Sequence, residues 1–362
     1  MTTWDKADNV LCVRLDSMGD ILMTSPAFRA LKRKPGRKLT LLTSRSGAAI
    51  APLIPEIDEA IDFDAPWMKA TERRIYATAD MEIIQELREK NFDAAIIFTV
   101  FSQNPLAAAY LCYLAEIPLR LGYCRENPYQ LLNYWLKDNE STTAMRHEVE
   151  RQLELVNFIG CKTSDDSLSL SVPEIATQTV RSLLENTPGF DINKPWVLIH
   201  PGATAESRRY PASQYGVVAD TLARNFDLQV VFTGVDSERR LIESIRTNVI
   251  APTTSLVGRI NLAEMAALIK LAPVIITNNT GPAHMAAALG TPLVELYALT
   301  NPQHTPWKGK SRVLYCDVPC KNCFKSVCPM EHHDCLRLVS PLAVVAAVID
   351  FLNEKGENYF RK

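Results

Sequence analysis

Short hydrophobic runs alternate with longer helical patterns from the start of the chain. Runs rich in β-branched and apolar residues occur at 10–15, 39–43 and 94–99, and a helical pattern at 21–34 follows the first of them. Strands that alternate with helices in this way form parallel sheets through right-handed crossovers. The first part of the chain therefore predicts a Rossmann-like unit.

A second series of strands begins near residue 196. Its apolar runs lie at 196–200, 229–233, 274–277 and 293–297. Helical patterns such as 213–226 and 262–271 separate these runs. The sequence thus predicts an α/β protein with two Rossmann-like domains and parallel sheets, and a length of 362 residues fits two domains.

Polar and proline-containing stretches mark the expected domain boundaries. The predicted segments are an N-terminal domain at 1–170, a linker region at 171–195 that holds one helix, a C-terminal domain at 196–340, and a final segment at 341–362. The final segment is rich in Ala and Val and predicts a helix that packs back across the domains.

The charge balance excludes a general attraction to polyanions. Lys and Arg number 39 and Asp and Glu number 41, which gives a net charge of −2, so we expect no nucleic-acid partner. No apolar run reaches the roughly 18 to 20 residues that cross a bilayer, and the first ten residues lack an apolar signal region. These features predict a cytoplasmic protein.

A basic cluster lies near the end of the first predicted helix. It consists of Lys32, Arg33, Lys34, Arg37 and Lys38, with Arg45 in the next turn. The cluster either attracts an anionic acceptor or complements the dipole at the end of the helix.

The first strand leads directly into Ser17, Met18, Gly19 and Asp20. Gly19 permits a tight turn, and Asp20 is expected at or near the helix N-cap, at the sheet edge where ligands usually bind. Asp20 has two interpretations. It is either a capping residue or a general base that takes a proton from an acceptor hydroxyl.

The second strand series begins with a similar turn, in which His200 and Gly202 flank a proline. Arg208 and Arg209 follow just before a helix. Two adjacent guanidinium groups can hold diphosphate oxygens through paired hydrogen bonds. The alternative is an exposed basic pair without a ligand.

A third turn joins the strand at 274–277 to a Gly-Pro helix start and contains Asn279, Thr280 and Gly281. A helix that begins in this way leaves backbone N–H groups and the positive end of its dipole available to a pyrophosphate. His284, on the first helical turn, can reach the same ligand or simply cap the helix.

Five of the nine cysteines lie close together in the sequence. They are Cys316, Cys320, Cys323, Cys328 and Cys335, and His332 and His333 lie among them. Four thiolates suit tetrahedral zinc or iron, and such a set leaves no open coordination position for catalysis. The cluster is thus either a structural metal site or a reduced loop without metal.

Taken together, four motifs resemble glycosyltransferase family 9, the heptosyltransferase family. They are Ser-Met-Gly-Asp at 17–20, His-Pro-Gly-Ala at 200–203, Arg-Arg-Tyr-Pro at 208–211 and Asn-Thr-Gly-Pro-Ala-His at 279–284. Their order along nearly the whole chain is more specific than any single motif.

The resemblance implies a GT-B fold, with the acceptor bound mainly by the first domain, the nucleotide sugar by the second, and catalysis in a central cleft. It also implies ADP-heptose as donor, inversion at the anomeric carbon, no catalytic metal, and a lipopolysaccharide core or related glycan as acceptor. Peripheral contact with the inner membrane and an oligomer are compatible with this family.

By the same resemblance Asp20 matches the catalytic base, beside an acceptor region at Ser17, Met18 and Gly19. Arg208 would hold the donor phosphates with the backbone at Thr280 and Gly281. Gly234 and Glu238 match the segment that meets the nucleoside.

Two features leave alternatives open. Asn279 stands where many members of the family carry Asp, so the transferred sugar can be another heptose or a hexose. The cysteines resemble those of bacterial autotransporter heptosyltransferases, which bind iron. By this resemblance the ligands would be Cys316, Cys320, Cys323 and Cys335, with Cys328 as a substitute.

The rival functions are transfer to a protein acceptor, a nucleotide-sugar epimerase of the same fold, and a non-enzymatic nucleotide-sugar sensor.

Overall fold

The computed structural model describes residues 3–69, 71–140 and 145–354. The chain divides into two compact units, Met1–Ser171 and Val172–Lys362. Each unit contains one six-stranded sheet in which every neighbouring pair of strands is parallel. Two α/β units with parallel sheets are what the alternating pattern predicts.

Among its described residues, the first unit has six strands, five α-helices and one short 3-10 helix (Ala51–Leu53). The strands are β1 (Asn9–Arg14), β2 (Lys38–Thr43), β3 (Glu59–Asp62), β4 (Ala94–Ile97), β5 (Leu119–Cys124) and β6 (Tyr134–Lys137). The helices are α1 (Met18–Lys32), α2 (Arg45–Ile50), α3 (Thr78–Glu89), α4 (Leu106–Leu114) and α5 (Glu148–Asn157). The strand order is β3-β2-β1-β4-β5-β6, so β1 lies between β2 and β4 inside the sheet.

The second unit repeats this plan. Its strands are β7 (Trp196–His200), β8 (Gln229–Phe232), β9 (Thr253–Ser255), β10 (Ile275–Asn278), β11 (Leu293–Leu296) and β12 (Ser311–Leu314). Its helices are α6 (Glu174–Glu185), α7 (Ala212–Phe226), α8 (Arg239–Arg246), α9 (Leu262–Leu271), α10 (Gly281–Leu289), α11 (Asp334–Arg337) and α12 (Pro341–Glu354). The strand order is β12-β11-β10-β7-β8-β9.

The central strands are apolar because both sheet faces are covered. In β1 every residue after Asn9 is buried, and β4 is buried throughout. Strands buried on both faces read as continuous apolar runs, and this explains why the sequence identifies them. The five strands that the pattern does not predict, β3, β5, β6, β9 and β12, are short or carry polar residues.

Helices α6 and α12 are the first and last helices of the second unit. Helix α6 lies within the predicted linker at 171–195 and buries Ala176, Val180 and Leu184. Helix α12 contributes Val344 and Val348 to the hydrophobic core formed with β7 and α7. Residues 355–362 of the predicted final segment lie outside the described residues. In the part of the chain that is described, no helix has both the length and the apolar character needed to cross a membrane.

A buried ionic cluster stabilises the first unit. Arg151, on α5, is fully buried and its two terminal nitrogens each lie 3.1 Å from one carboxylate oxygen of Asp138. Its Nε donates to the backbone oxygen of Thr99, just beyond β4. The guanidinium therefore joins α5 to the loops that follow β4 and β6.

Replacing Arg151 with Met is expected to lower the free energy of unfolding by about 3–5 kcal/mol, because Asp138 is left buried without its main cation. Urea unfolding followed by circular dichroism measures the change. Arg45→Met is the control: Arg45 is 83% exposed and lies 3.7 Å from Asp62, so its loss is expected to stay within about 0.5 kcal/mol. Equal effects of the two substitutions would contradict this role of Arg151.

Candidate functional site

Three carboxylates of the first unit meet one guanidinium. Arg14, the last residue of β1, is fully buried. Its Nη2 lies 2.8 Å from an oxygen of Glu148 and 3.3 Å from Oδ1 of Asp20, and its Nε lies 3.1 Å from Asp16. The cluster thus joins the end of β1 to the start of α1 and the start of α5.

The charged groups in this cluster shift the pKa values of their neighbours. Burial on its own lowers the pKa of Arg14, but the carboxylates outweigh burial and hold that pKa above its ordinary value. Burial raises the pKa of Asp16 to about 7; Arg14 acts against this shift and the negative charge of Asp20 adds to it. The pKa of Asp16 therefore lies close to neutral pH.

The structure places Asp20 near the N-cap of its helix, as expected, but not at the cap itself. Helix α1 begins at Met18 and Ser17 is its N-cap, so Asp20 is the third residue of the first turn rather than the cap. Oδ2 of Asp20 accepts hydrogen bonds from the backbone N–H of Ser17 at 3.1 Å and from its hydroxyl at 2.7 Å. With Oδ1 facing Arg14, both carboxylate oxygens are held, and Met18 and Gly19 share the same helical turn.

In the second unit, two glycines make room for a carboxylate. A Cβ on Gly202 would lie 1.8 Å from Oε1 of Glu238, and one on Gly234 would lie 2.7 Å from its Oε2. The same carboxylate accepts a hydrogen bond from the N–H of Val235 at 3.0 Å. His200 is close by: burial lowers its pKa, and Glu238 opposes the shift. The turns after β7 and β8 therefore meet at Glu238.

The side chain of Asn278 connects the turn after β7 to β10 by hydrogen bonds. The sequence motifs alone give this residue no role. Its Nδ2 donates to the backbone oxygen of Pro201 at 2.8 Å. Its Oδ1 accepts from the N–H of Tyr210 and the hydroxyl of Tyr215, both at 3.1 Å. The segment that carries Arg208 is thus held at both of its ends.

The predicted helix start is present. Helix α10 begins at Gly281, with Thr280 as N-cap and proline in the first turn. Arg208 lies in the turn after β7, and its Nη1 is 3.5 Å from the backbone oxygen of Asn279. Arg209 donates from Nε to the backbone oxygen of Ala203 at 2.9 Å, so it braces its own loop. The arrangement brings Arg208 to the N-terminus of α10.

The cysteine-rich segment packs against the loop that holds Arg208. Ser207 donates from its backbone N–H to the oxygen of Ser326 at 3.0 Å and from its hydroxyl to the oxygen of Lys325 at 2.7 Å. Left-handed backbone occurs within the segment, at Asn322 and Phe324 among others. Such conformations carry strain that surrounding structure must hold.

Several cysteines of this segment line one small cavity. Its volume is about 20 Å³, and the side chains that line it include Cys320, Cys323, Cys328, Cys335 and His332. Sγ of Cys320 lies 3.6 Å from Nε2 of His332. Burial raises the pKa of Cys335, and the neighbouring thiols at 328, 320 and 323 act in the same direction. Among the described residues, no three His, Cys, Asp or Glu side chains are already arranged to hold a metal ion.

Most of the basic cluster at the end of α1 is engaged. Lys32 pairs with Asp58 at 2.7 Å and Lys34 with Asp8 at 2.6 Å. Arg37 is buried, and its Nε donates to the backbone oxygen of Ala7 at 3.0 Å. These cations therefore stabilise the first unit, which favours the structural interpretation of the cluster.

Comparisons with known proteins agree with the two-unit fold. The family model described as glycosyltransferase family 9 (heptosyltransferase) matches residues 81–333. The chain is 26% identical over 360 residues to lipopolysaccharide heptosyltransferase 2 of Salmonella typhimurium, covering 96% of this chain and 99% of that protein.

Solved structures match with similar completeness. A family 9 glycosyltransferase from Veillonella parvula has a TM-score of 0.82 at 20% identity, covering 98% of this chain and 99% of its own. The ADP-heptose lipopolysaccharide heptosyltransferase II of E. coli has a TM-score of 0.75 at 23% identity, covering 96% and 99%. These matches confirm the predicted GT-B fold class, and the family model establishes that this chain belongs to glycosyltransferase family 9.

Proposed function

We propose that this enzyme transfers heptose from ADP-heptose to a hydroxyl of a lipopolysaccharide core, with inversion at the anomeric carbon. The observation that carries the proposal is the seating of Asp20 at the first turn of α1, with both carboxylate oxygens held by Arg14 and Ser17. The names of the Salmonella and E. coli relatives support heptose, ADP and a lipopolysaccharide acceptor.

Asp20 is the proposed catalytic base. Its side chain is almost fully enclosed, and its fixed orientation means that little reorganisation is needed when it accepts a proton. Ser17, Met18 and Gly19 form the adjacent acceptor-binding turn. The guanidinium of Arg14 keeps the carboxylate in place but does not contact the acceptor.

The second unit is proposed to hold the donor. Arg208 and the backbone N–H groups at Thr280 and Gly281 would bind the diphosphate, because a guanidinium and a helix N-terminus both favour negative charge. Glu238, lying over Gly202 and beside Gly234, would accept hydrogen bonds from the ribose hydroxyls. His200, Asn279 and His284 complete the proposed donor site, and Arg209 keeps the loop in shape.

The reaction would be a single displacement. The acceptor oxygen forms a bond to the anomeric carbon while the bond from that carbon to the β-phosphate oxygen breaks. The hydroxyl proton passes to Asp20, and the electron pair of the broken bond leaves with ADP. Arg208 and the start of α10 stabilise the charge that develops on the leaving group.

Replacing Asp20 with Asn is expected to lower kcat by about 10²–10⁴-fold, because the amide cannot take the proton, while ADP-heptose still binds. The assay is mass-spectrometric detection of heptose added to a truncated lipid A core. Ser17→Ala is the matched control: it removes one of the hydrogen bonds to Asp20 but keeps the base, so its loss is expected to stay near 10-fold.

The same assay separates the rival functions. Turnover by Asp20→Asn at the wild-type rate would remove Asp20 from its role. Conversion of ADP-heptose without any acceptor would favour an epimerase, and transfer only to a polypeptide acceptor would favour an autotransporter heptosyltransferase. Binding of the nucleotide sugar without any reaction would favour a sensor.

A structural metal at the cysteine segment is the second part of the proposal. Four thiols and one imidazole around a cavity of about 20 Å³ suit an iron or zinc ion in donor chemistry and in size. The proposed ligands are Cys320, Cys323, Cys328 and Cys335. The ion would cross-link the segment that supports Ser207, and so would hold the neighbouring Arg208 in position.

Metal analysis of the purified protein is expected to find about one iron or zinc per chain. Cys328→Ser should lose that metal and weaken ADP binding, because the loop that carries Arg208 loses its support. Cys316→Ser is the control and should keep the metal, since Sγ of Cys316 lies 3.9 Å from the backbone oxygen of Asp317 and does not line the cavity. Metal loss in Cys316→Ser but not in Cys328→Ser would restore the ligand set that the family resemblance implies.

Three further features stay predictions from the sequence: the cytoplasmic location, contact with the inner membrane, and oligomer formation.

A further inference from the structure

Glu295 is a fully buried acid on an inner strand of the second sheet. It is the third residue of β11, its exposure is 0%, and neither of its carboxyl oxygens is hydrogen-bonded within the described ranges. Burial raises its pKa well above the ordinary value, and the guanidinium of Arg208 acts in the opposite direction. An unsatisfied polar group in this position costs about 1–3 kcal/mol, so stability does not explain it.

The position of Glu295 in the sheet points to a ligand. Thr277 on β10 is in register with both Glu295 on β11 and His200 on β7. Residues in register on neighbouring parallel strands present their side chains on one face. Oγ1 of Thr277 and Nδ1 of His200 are buried and also lack hydrogen-bond partners in the described part of the chain. Glu295 therefore ends a row of three unsatisfied polar side chains near the carboxyl ends of the strands, where parallel sheets bind ligands.

The amide oxygen of the neighbouring Asn279 is already partly engaged within the protein. Oδ1 of Asn279 accepts a hydrogen bond from the backbone N–H of Ala298 at 3.3 Å. Its Nδ2 group can only donate. One acceptor position of Asn279 is therefore already used within the protein, whereas both carboxyl oxygens of Glu295 are unused among the described residues and can accept from a ligand hydroxyl.

We propose that Glu295 recognises a hydroxyl group of the transferred sugar and so determines donor specificity. The inference rests on the proposed donor site in the second unit. Arg208 is half-buried and close enough to Glu295 to act on its charge, so a diphosphate held by Arg208 would bring the attached sugar near this carboxyl group. The row of unsatisfied groups is thereby completed by the ligand rather than by the protein.

The test compares two ligands, ADP and ADP-heptose, by calorimetric titration of the full-length protein. Glu295→Met keeps the side-chain length and removes the acceptor. It is expected to bind ADP-heptose about 10–100-fold more weakly, to bind ADP as the wild type does, and to melt at the same temperature or higher. Glu295→Gln keeps a carbonyl oxygen and is expected to stay within about threefold of the wild type for both ligands.

Each other outcome has a distinct meaning. Unchanged ADP-heptose binding by a folded Glu295→Met protein would overturn the inference and leave the proposed function intact. Equal weakening for ADP and ADP-heptose would also overturn it, because Glu295 would then act on the diphosphate through Arg208. A wild-type protein that binds neither ligand would overturn the proposed function together with the inference.

Discussion

The buried guanidinium of Arg14 is the interaction on which the first unit's chemistry depends. It stands at the end of a central strand, and the carboxylates of Asp16, Asp20 and Glu148 come to it from three parts of the chain. A fully buried cation is tolerated only when such partners surround it. The same requirement fixes Asp20, so the charge that stabilises the unit also orients the proposed base.

In the second unit, a neutral side chain, the amide of Asn278, positions the proposed site residues. Asn278 at the end of β10 bonds the turn after β7 through Pro201 and Tyr210, and that turn presents Arg208 to the start of α10. The cysteine segment supports this turn from its other side through Ser207. The proposed donor site thus depends on loops that are held by hydrogen bonds and by the thiolates of the proposed metal site.

The alternating pattern predicted the two sheets and their central strands because those strands are buried on both faces. It missed strands such as β9, which has only three residues and an intermediate burial throughout. Asp20, Arg208 and Glu238 stand in recognisable motifs, so the sequence was sufficient to propose them as site residues. Glu148 and Glu295 carry no local signal, because a buried acid is recognised only when the fold shows what surrounds it.

The position of Asp20 within its helix illustrates the limit of local reasoning. Asp and Ser are both good N-cap residues, so the sequence Ser-Met-Gly-Asp is compatible with either as the cap. The structure places Ser17 at the cap, and Asp20 reaches back to its N–H and hydroxyl. These hydrogen bonds hold the carboxylate of the proposed base in a fixed orientation.

The central claim is that the second unit holds the ADP portion of a nucleotide sugar. Calorimetric titration of the purified protein with ADP, UDP and GDP in parallel tests it most directly. ADP is expected to bind at least about 10-fold more tightly than either alternative, a difference of about 1.4 kcal/mol. Tighter binding of UDP or GDP would contradict the donor assignment while leaving the fold and the family unchanged.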